Sequence, residues 1–288
     1  MAYHSLVEVL ESPFGKSPRQ RLVAAVHGAL RCDLSHGRLQ AAGRALMPAR
    51  LPEGAMERLI YEQIELDANP FMVCALRARS ALSAVELHAE LNRTANFALR
   101  TRVELGRDGA LRIAQRSTSP KGDLSICRDT HVAAFSVVVA RIGARSSGAS
   151  ASTSTISSLA TKLGLEMSAT RDAALAFEEE PGLSIGAAAR LLGVNTRSFE
   201  RWLRAEGLSP IAIKRASRLI RATALLSGEM TLTQIAHDCA FADLAHMSRE
   251  FSASCALTPT QLRACVHKVG ARAPHAELTR RLRSRAIH

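Results

Sequence analysis

Two short stretches carry side chains of the types that read nucleic acid. In the first, Arg197, Ser198, Glu200, Arg201 and Arg204 follow Asn195 and Thr196. Long guanidinium donors at helical spacing suit phosphate oxygens and guanine edges, where paired N–H groups meet paired acceptors. In the second stretch Leu244, Ala245, His246, Ser248 and Arg249 hold the corresponding places, with Asp243 before them. That set is less polar. The chemistry implied is recognition and not bond making, because no GxSxG, Walker loop, HExxH or dinucleotide fingerprint occurs and the carboxylates do not cluster. No catalytic, cofactor-binding or metal-ligating residue is assigned, and no cofactor is expected.

The elements that must position these side chains repeat. LSIGAAARLLGVNTRSFERWL, Leu183 to Leu203, lies parallel in pattern to TLTQIAHDCAFADLAHMSREF, Thr231 to Phe251. Ala189 matches Ala236, Phe199 matches Met247, Arg201 matches Arg249 and Leu203 matches Phe251, with one extra residue in the second turn. Leu232, Ile235, Ala236 and Cys239 fall at helical spacing, the run breaks at Phe241 to Asp243, and the spacing resumes through Met247. Each stretch therefore predicts helix, turn, helix. Gly193 suits the left-handed residue that ends a helix, and Asn195 suits the cap of the next one. Phe199, Trp202 and Leu203 are expected to point inward. Between the units, Ile213 to Leu226 predicts a helix of about 21 Å, with Lys214, Arg215, Arg218 and Arg221 available to phosphates.

The rest of the chain agrees with an anionic partner. Its 288 residues carry a formal charge of +12, which favours double-stranded DNA. Cys32, Cys74, Cys127, Cys239, Cys255 and Cys265 are scattered without a CxxC, so reduced thiols are expected in place of a disulfide framework or zinc site. Glu8 and Glu11 interrupt the N-terminal apolar run, and His131 to Ala140 is too short to span a bilayer. A soluble cytoplasmic protein without membrane contact is expected. His88 and His131 lack a third donor at ligand spacing.

Upstream, Arg19 to Leu30, Met56 to Ile64 and Ser83 to Asn96 predict helices. Phe97 to Leu105 and Leu111 to Gln115 alternate around Asp108-Gly109, which predicts a β-hairpin. Thr130 to Ile142 suits a buried strand or a helix. The small polar run around RSSGASASTSTISS predicts a flexible linker. The expected fold is an α+β N-terminal domain (1–143), a linker (144–160), an all-α C-terminal domain of two helix-turn-helix units joined by a helix (161–268), and a basic disordered tail (269–288).

The C-terminal part resembles the AraC/XylS family of bacterial transcription regulators. The resemblance is carried by Ala189, Gly193, FERWLRAEG, Arg218, Ala222 and Leu226, then QIA, Phe241, SREF and the segment from Thr258-Pro259 to Arg263, and covers about Pro181 to Ala264. It implies a DNA-binding domain of two joined helix-turn-helix units. By position it places Arg197, Glu200 and Arg201, and Leu244, Ala245, His246 and Arg249, on the DNA-facing helices. ALRARSALSAVELHAELNRTANFALRTRVEL more faintly resembles the effector-sensing domain of one subgroup, shortened here. The implied function is sequence-specific control of promoters, with RNA polymerase, a small-molecule effector and a second copy of the chain as candidate further partners. Where the family usually carries glycine, this chain has Ala240 and Ala256. A left-handed backbone there costs about 1 kcal/mol or more, which predicts a strained second unit and motivates the alternative of a regulatory module with impaired DNA contacts that acts through protein partners.

Overall fold

The computed structural model describes residues 3–11, 15–31, 36–47, 52, 54–78, 80–94, 99–105, 111–117, 125–143 and 155–267. The expected tail and the expected linker from 144 to 154 lie outside the described residues. The described residues form a helical array from α1 to α15 with one two-stranded ribbon among them.

The first half contains α1 (Tyr3–Glu11), α2 (Pro18–Leu30), α3 (His36–Leu46), α4 (Ala55–Leu66), α5 (Pro70–Arg77) and α6 (Ala81–Thr94). The ribbon β1 (Leu99–Leu105) and β2 (Leu111–Ser117) follows, then α7 (Ser125–Gly143). The ribbon is antiparallel, in register from Leu99 opposite Ser117 to Leu105 opposite Leu111. This corrects the expectation of an α+β N-terminal domain. A lone pair of strands forms no layer that could cover a core, and the other described elements of this half are helices. Thr130 to Ile142 is helix and not strand. Its buried residues are Cys127, Thr130, His131, Ala134, Phe135, Val138, Val139 and Ile142, which recur at three- and four-residue steps such as 127, 130, 134, 138 and 131, 135, 138, 142, as one broad helix face requires.

Local signals fix several of these helices. Ser17 and Gln20 form a capping box at the start of α2, with Pro18 in its first turn. Asn69 caps α5 through a bond accepted from the Phe71 amide, again with proline in the first turn. Between α6 and α7 the His88 and His131 imidazoles meet Nε2 to Nε2 at 3.0 Å, with the Phe135 ring edge-on to His88. Burial pushes His131 down to about 3 and His88 well below its usual value.

The second half opens with α8 (Ile156–Lys162), so the last residues of the expected linker are helical. The Glu178 carboxylate accepts the Ser157 amide at 3.1 Å and seats α8 against the next helix. Then come α9 (Ala169–Glu179), α10 (Ile185–Leu191), α11 (Thr196–Ala205), α12 (Pro210–Leu225), α13 (Leu232–Asp238), α14 (Leu244–Cys255) and α15 (Pro259–His267). One core cluster runs through both halves, from Leu6 to Val266. Helix α2 packs on α12 and α14, α5 on α12, and α6 on α15. The Gln261 amide donates to Glu90 across that last contact at 3.2 Å.

Candidate nucleic-acid interface

In the first unit Ser184 caps α10, and Ala188 and Ala189 are fully buried where α10 meets its neighbours. The helix ends in a left-handed residue, Gly193 (φ 72°). The Gly193 amide donates to Arg190 O and the Val194 amide to Ala189 O, both at 3.0 Å, which satisfies carbonyls that a helix end leaves open. Asn195 then caps α11, its side-chain oxygen accepting the Ser198 amide at 2.8 Å. Phe199 and Leu203 point into the core with no exposed surface. The opposite face exposes Thr196, Arg197, Glu200, Arg201 and Arg204, with Ser198 half-buried at its edge. Trp202 corrects the inward expectation, for it is 44% exposed. It lies about 60° round the helix from Phe199 and about 100° from Leu203, so it flanks the core stripe.

The second unit repeats this construction. Thr231 and Gln234 form a capping box on α13, and Ile235 and Ala236 are buried. Its turn has the same bonds, from the Ala240 amide to His237 O (2.9 Å) and from the Phe241 amide to Ala236 O (2.8 Å). The left-handed residue is now Ala240 (φ 54°), and a second one, Ala256 (φ 59°), ends α14. Among the described residues these are the non-glycine residues with positive φ. The inserted residue falls between Phe241 and the cap, Asp243, whose carboxylate accepts the His246 amide at 2.5 Å. Met247 and Phe251 fill the core side, while Leu244, Ala245 and Arg249 are exposed and Ser248 is half-buried.

His246 has structural work as well as a surface position. Its Nδ1 accepts the Ala242 amide at 3.3 Å, and its ring stands edge-on to Phe241 at 5.6 Å. That leaves Nε2 as the protonated nitrogen of the neutral ring, 3.8 Å from a Glu250 carboxylate oxygen.

The cations of α12, expected to be available to phosphates, have partners within the fold. Lys214 is buried and donates to Leu183 O at 2.5 Å, and burial followed by the nearby Arg218 holds its ammonium below the usual lysine value. Arg215 grips Glu250 of α14 through Nε and Nη2 at 3.0 and 2.8 Å. Arg218, expected above to contact DNA phosphates, is half-buried and donates to Pro181 O at 3.0 Å, with burial lowering its pKa. Arg221 holds Asp238 of α13 at 3.1 and 2.8 Å. These side chains brace α12 against α9, α13 and α14.

Cys239, Cys255 and Cys265 are buried free thiols. Burial, with Asp238 adding to it, pushes Cys239 up to about 12, so it stays protonated and behaves as a small core residue.

Among the described residues no helix is long and apolar enough to cross a membrane, and no group of three or more His, Cys, Asp or Glu side chains is arranged to hold a metal. Residues 188–264 match a family model described as a helix-turn-helix domain. The match supports an AraC-type helix-turn-helix domain in this segment, a DNA-binding module of transcription regulators and not an enzymatic one. No curated protein and no solved structure matches the chain.

Proposed function

We propose that the chain is a sequence-specific transcription regulator of the AraC/XylS kind, which reads adjacent major-groove segments of a promoter with α11 and α14. The supporting observation is a contrast in how arginines are used. Those on α12 are bonded within the fold, whereas among the described residues no hydrogen bond or ion pair engages the side chains of Arg197, Arg201, Arg204 and Arg249. These four stand exposed on the outer faces of the two second helices, the place from which a helix-turn-helix unit reaches base edges and phosphates. Helix α12, about 24 Å long at 1.5 Å per residue, separates the two readers. The N-terminal half serves as the dimerising or effector-sensing part, RNA polymerase is the downstream partner, and the cytoplasm of a bacterium is the setting.

A gel-shift competition tests this. Purified chain should retain selected genomic fragments over random duplex at about 0.15 M salt, with affinity falling steeply as salt rises. Arg201→Ala should lower affinity for the selected fragment by about fivefold or more, as expected for losing a good base contact of about 1–3 kcal/mol. Absence of any preference over random duplex refutes the reading. Sequence preference and promoter control unchanged by Arg201→Ala would support the alternative, a regulatory module that works through protein partners.

A further inference from the structure

Helix α2 touches the exits of both helices that carry the candidate reading faces. Near its middle Val23 lies against the turn that ends α11, where a Cβ on Gly207 would meet Val23 Cγ2 at 3.3 Å. At its C-terminal end the open carbonyls of its last turn are taken by polar groups from elsewhere. The Asn69 side-chain amide donates to Gly28 O at 2.8 Å and to Ser254 O at 3.0 Å. The Ser254 hydroxyl donates to Ala29 O. Asn69 and Ser254 have no exposed surface. One buried amide thus satisfies terminal carbonyls of two different helices, α2 and α14, while its oxygen caps a third, α5.

We propose that Asn69 and Ser254 are positioning residues that fix the spacing and rotation between α11 and α14, so that the protein accepts only one separation between its two DNA half-sites. The proposal rests on the reading of α11 and α14 as the two DNA readers. Helix α12 joins the two units and is pinned to α13 through Arg221 and to α14 through Arg215; α2 adds a second strut that bears on the exits of α11 and α14 themselves. From Val23 to Ala29 α2 spans about 9 Å of axis; Val23 packs at the exit of α11, and the last turn is hydrogen-bonded to the exit of α14. Neither Asn69 nor Ser254 belongs to the exposed faces that meet DNA, so an effect on spacing would come through geometry and not through a lost contact.

The test uses the full chain and a duplex that it selects from a random pool. Base pairs are inserted or removed one at a time between the two half-sites, each changing their relative rotation by about 34° and their separation by about 3.4 Å. The wild type should bind a duplex with two inserted base pairs at least about tenfold more weakly than the selected one. In Asn69→Ala and Ser254→Ala that ratio should fall below about threefold, while affinity for the first half-site alone stays within about twofold of wild type. An unchanged ratio in a variant with wild-type far-ultraviolet circular dichroism overturns the proposal. If Asn69→Ala does not fold, Ser254→Ala decides, since it removes one hydroxyl bond and leaves the Asn69 amide in place. A wild type that selects no sequence overturns this proposal together with the DNA-reading function, whereas one that selects a sequence but tolerates every spacing overturns this proposal alone.

Discussion

Replacing Ala240 by glycine should make the protein more stable, whereas the same change at Ala256 should leave stability nearly unchanged. The two residues hold φ values of 54° and 59°, where the Cβ of an L-residue crowds its own backbone at a cost of roughly 1–2 kcal/mol. Glycine removes that strain but enlarges the freedom of the unfolded chain, a loss of roughly 0.4–1 kcal/mol. The balance favours Ala240→Gly by about 0.5–1 kcal/mol. Ala256 differs because its methyl packs on the core, and forfeiting that contact subtracts up to about 0.8 kcal/mol, so Ala256→Gly should be close to neutral. The counterpart Gly193, at φ 72°, supplies the reverse experiment, and Gly193→Ala should destabilise by roughly the amount that Ala240→Gly gains. The twelve-residue α14 separates Ala240 from Ala256, a length of about 18 Å, so the double substitution should equal the sum of the single ones. Urea unfolding followed by circular dichroism measures the midpoint shifts at constant slope. Loss of stability in Ala240→Gly, or a gain in Gly193→Ala, would refute the reasoning.

Two further outcomes follow from the same structure. Burial holds His131 at about 3 and His88 well below 6.5; a histidine with a depressed folded pKa contributes stability that is complete above its unfolded value and is lost as pH falls toward the folded one. Unfolding free energy should therefore decline below about pH 6.5 by up to about 1.4 kcal/mol per pH unit for each histidine, His131→Gln should make the decline shallower, and a profile flat from pH 7 to pH 5 would contradict the assignment. Asn195→Ala and Asp243→Ala, which remove the caps of α11 and α14, should each cost about 1 kcal/mol by urea titration, with a change below about 0.3 kcal/mol counting against the capping role.

The C-terminal half was legible because its signals are local and occur twice. Ser184, Asn195, Thr231 and Asp243 cap the helices they precede, and Phe199, Leu203, Met247 and Phe251 fall where one helix face needs them. Helix α7 was not legible from apolar spacing, because its buried stripe passes through Thr130 and His131, polar by type and paired inside. The short helices α1, α3 and α5 lacked a periodic run long enough to stand out, and α5 (PFMVCALR) is apolar on nearly every side since α7, α12 and α15 surround it. On α12 the arginines matched the spacing of a phosphate row. What spacing could not show is that Glu250, Asp238 and the Pro181 carbonyl fold back to meet them. A distant partner leaves no trace in the local pattern. Trp202 was misplaced because its neighbours Phe199 and Leu203 already fill the inward sector of α11.

The bonds that join the two halves have a bearing on synthesis. Ser254 and Ala29 are 225 residues apart, and Gln261 and Glu90 are 171 apart. Contacts of such separation form slowly, because a long loop must close before they return any free energy. On the ribosome α2, α5 and α6 emerge long before α12, α14 and α15 exist to cover them. Leu22, Ala25 and Val26 on α2, and Phe71 and Met72 on α5, belong to the core of the finished fold. During translation the early half therefore waits with apolar surface uncovered, the condition under which chains aggregate or engage chaperones. Emergence of α15, the last of the described helices, supplies Leu262, Cys265 and Val266 to that shared core.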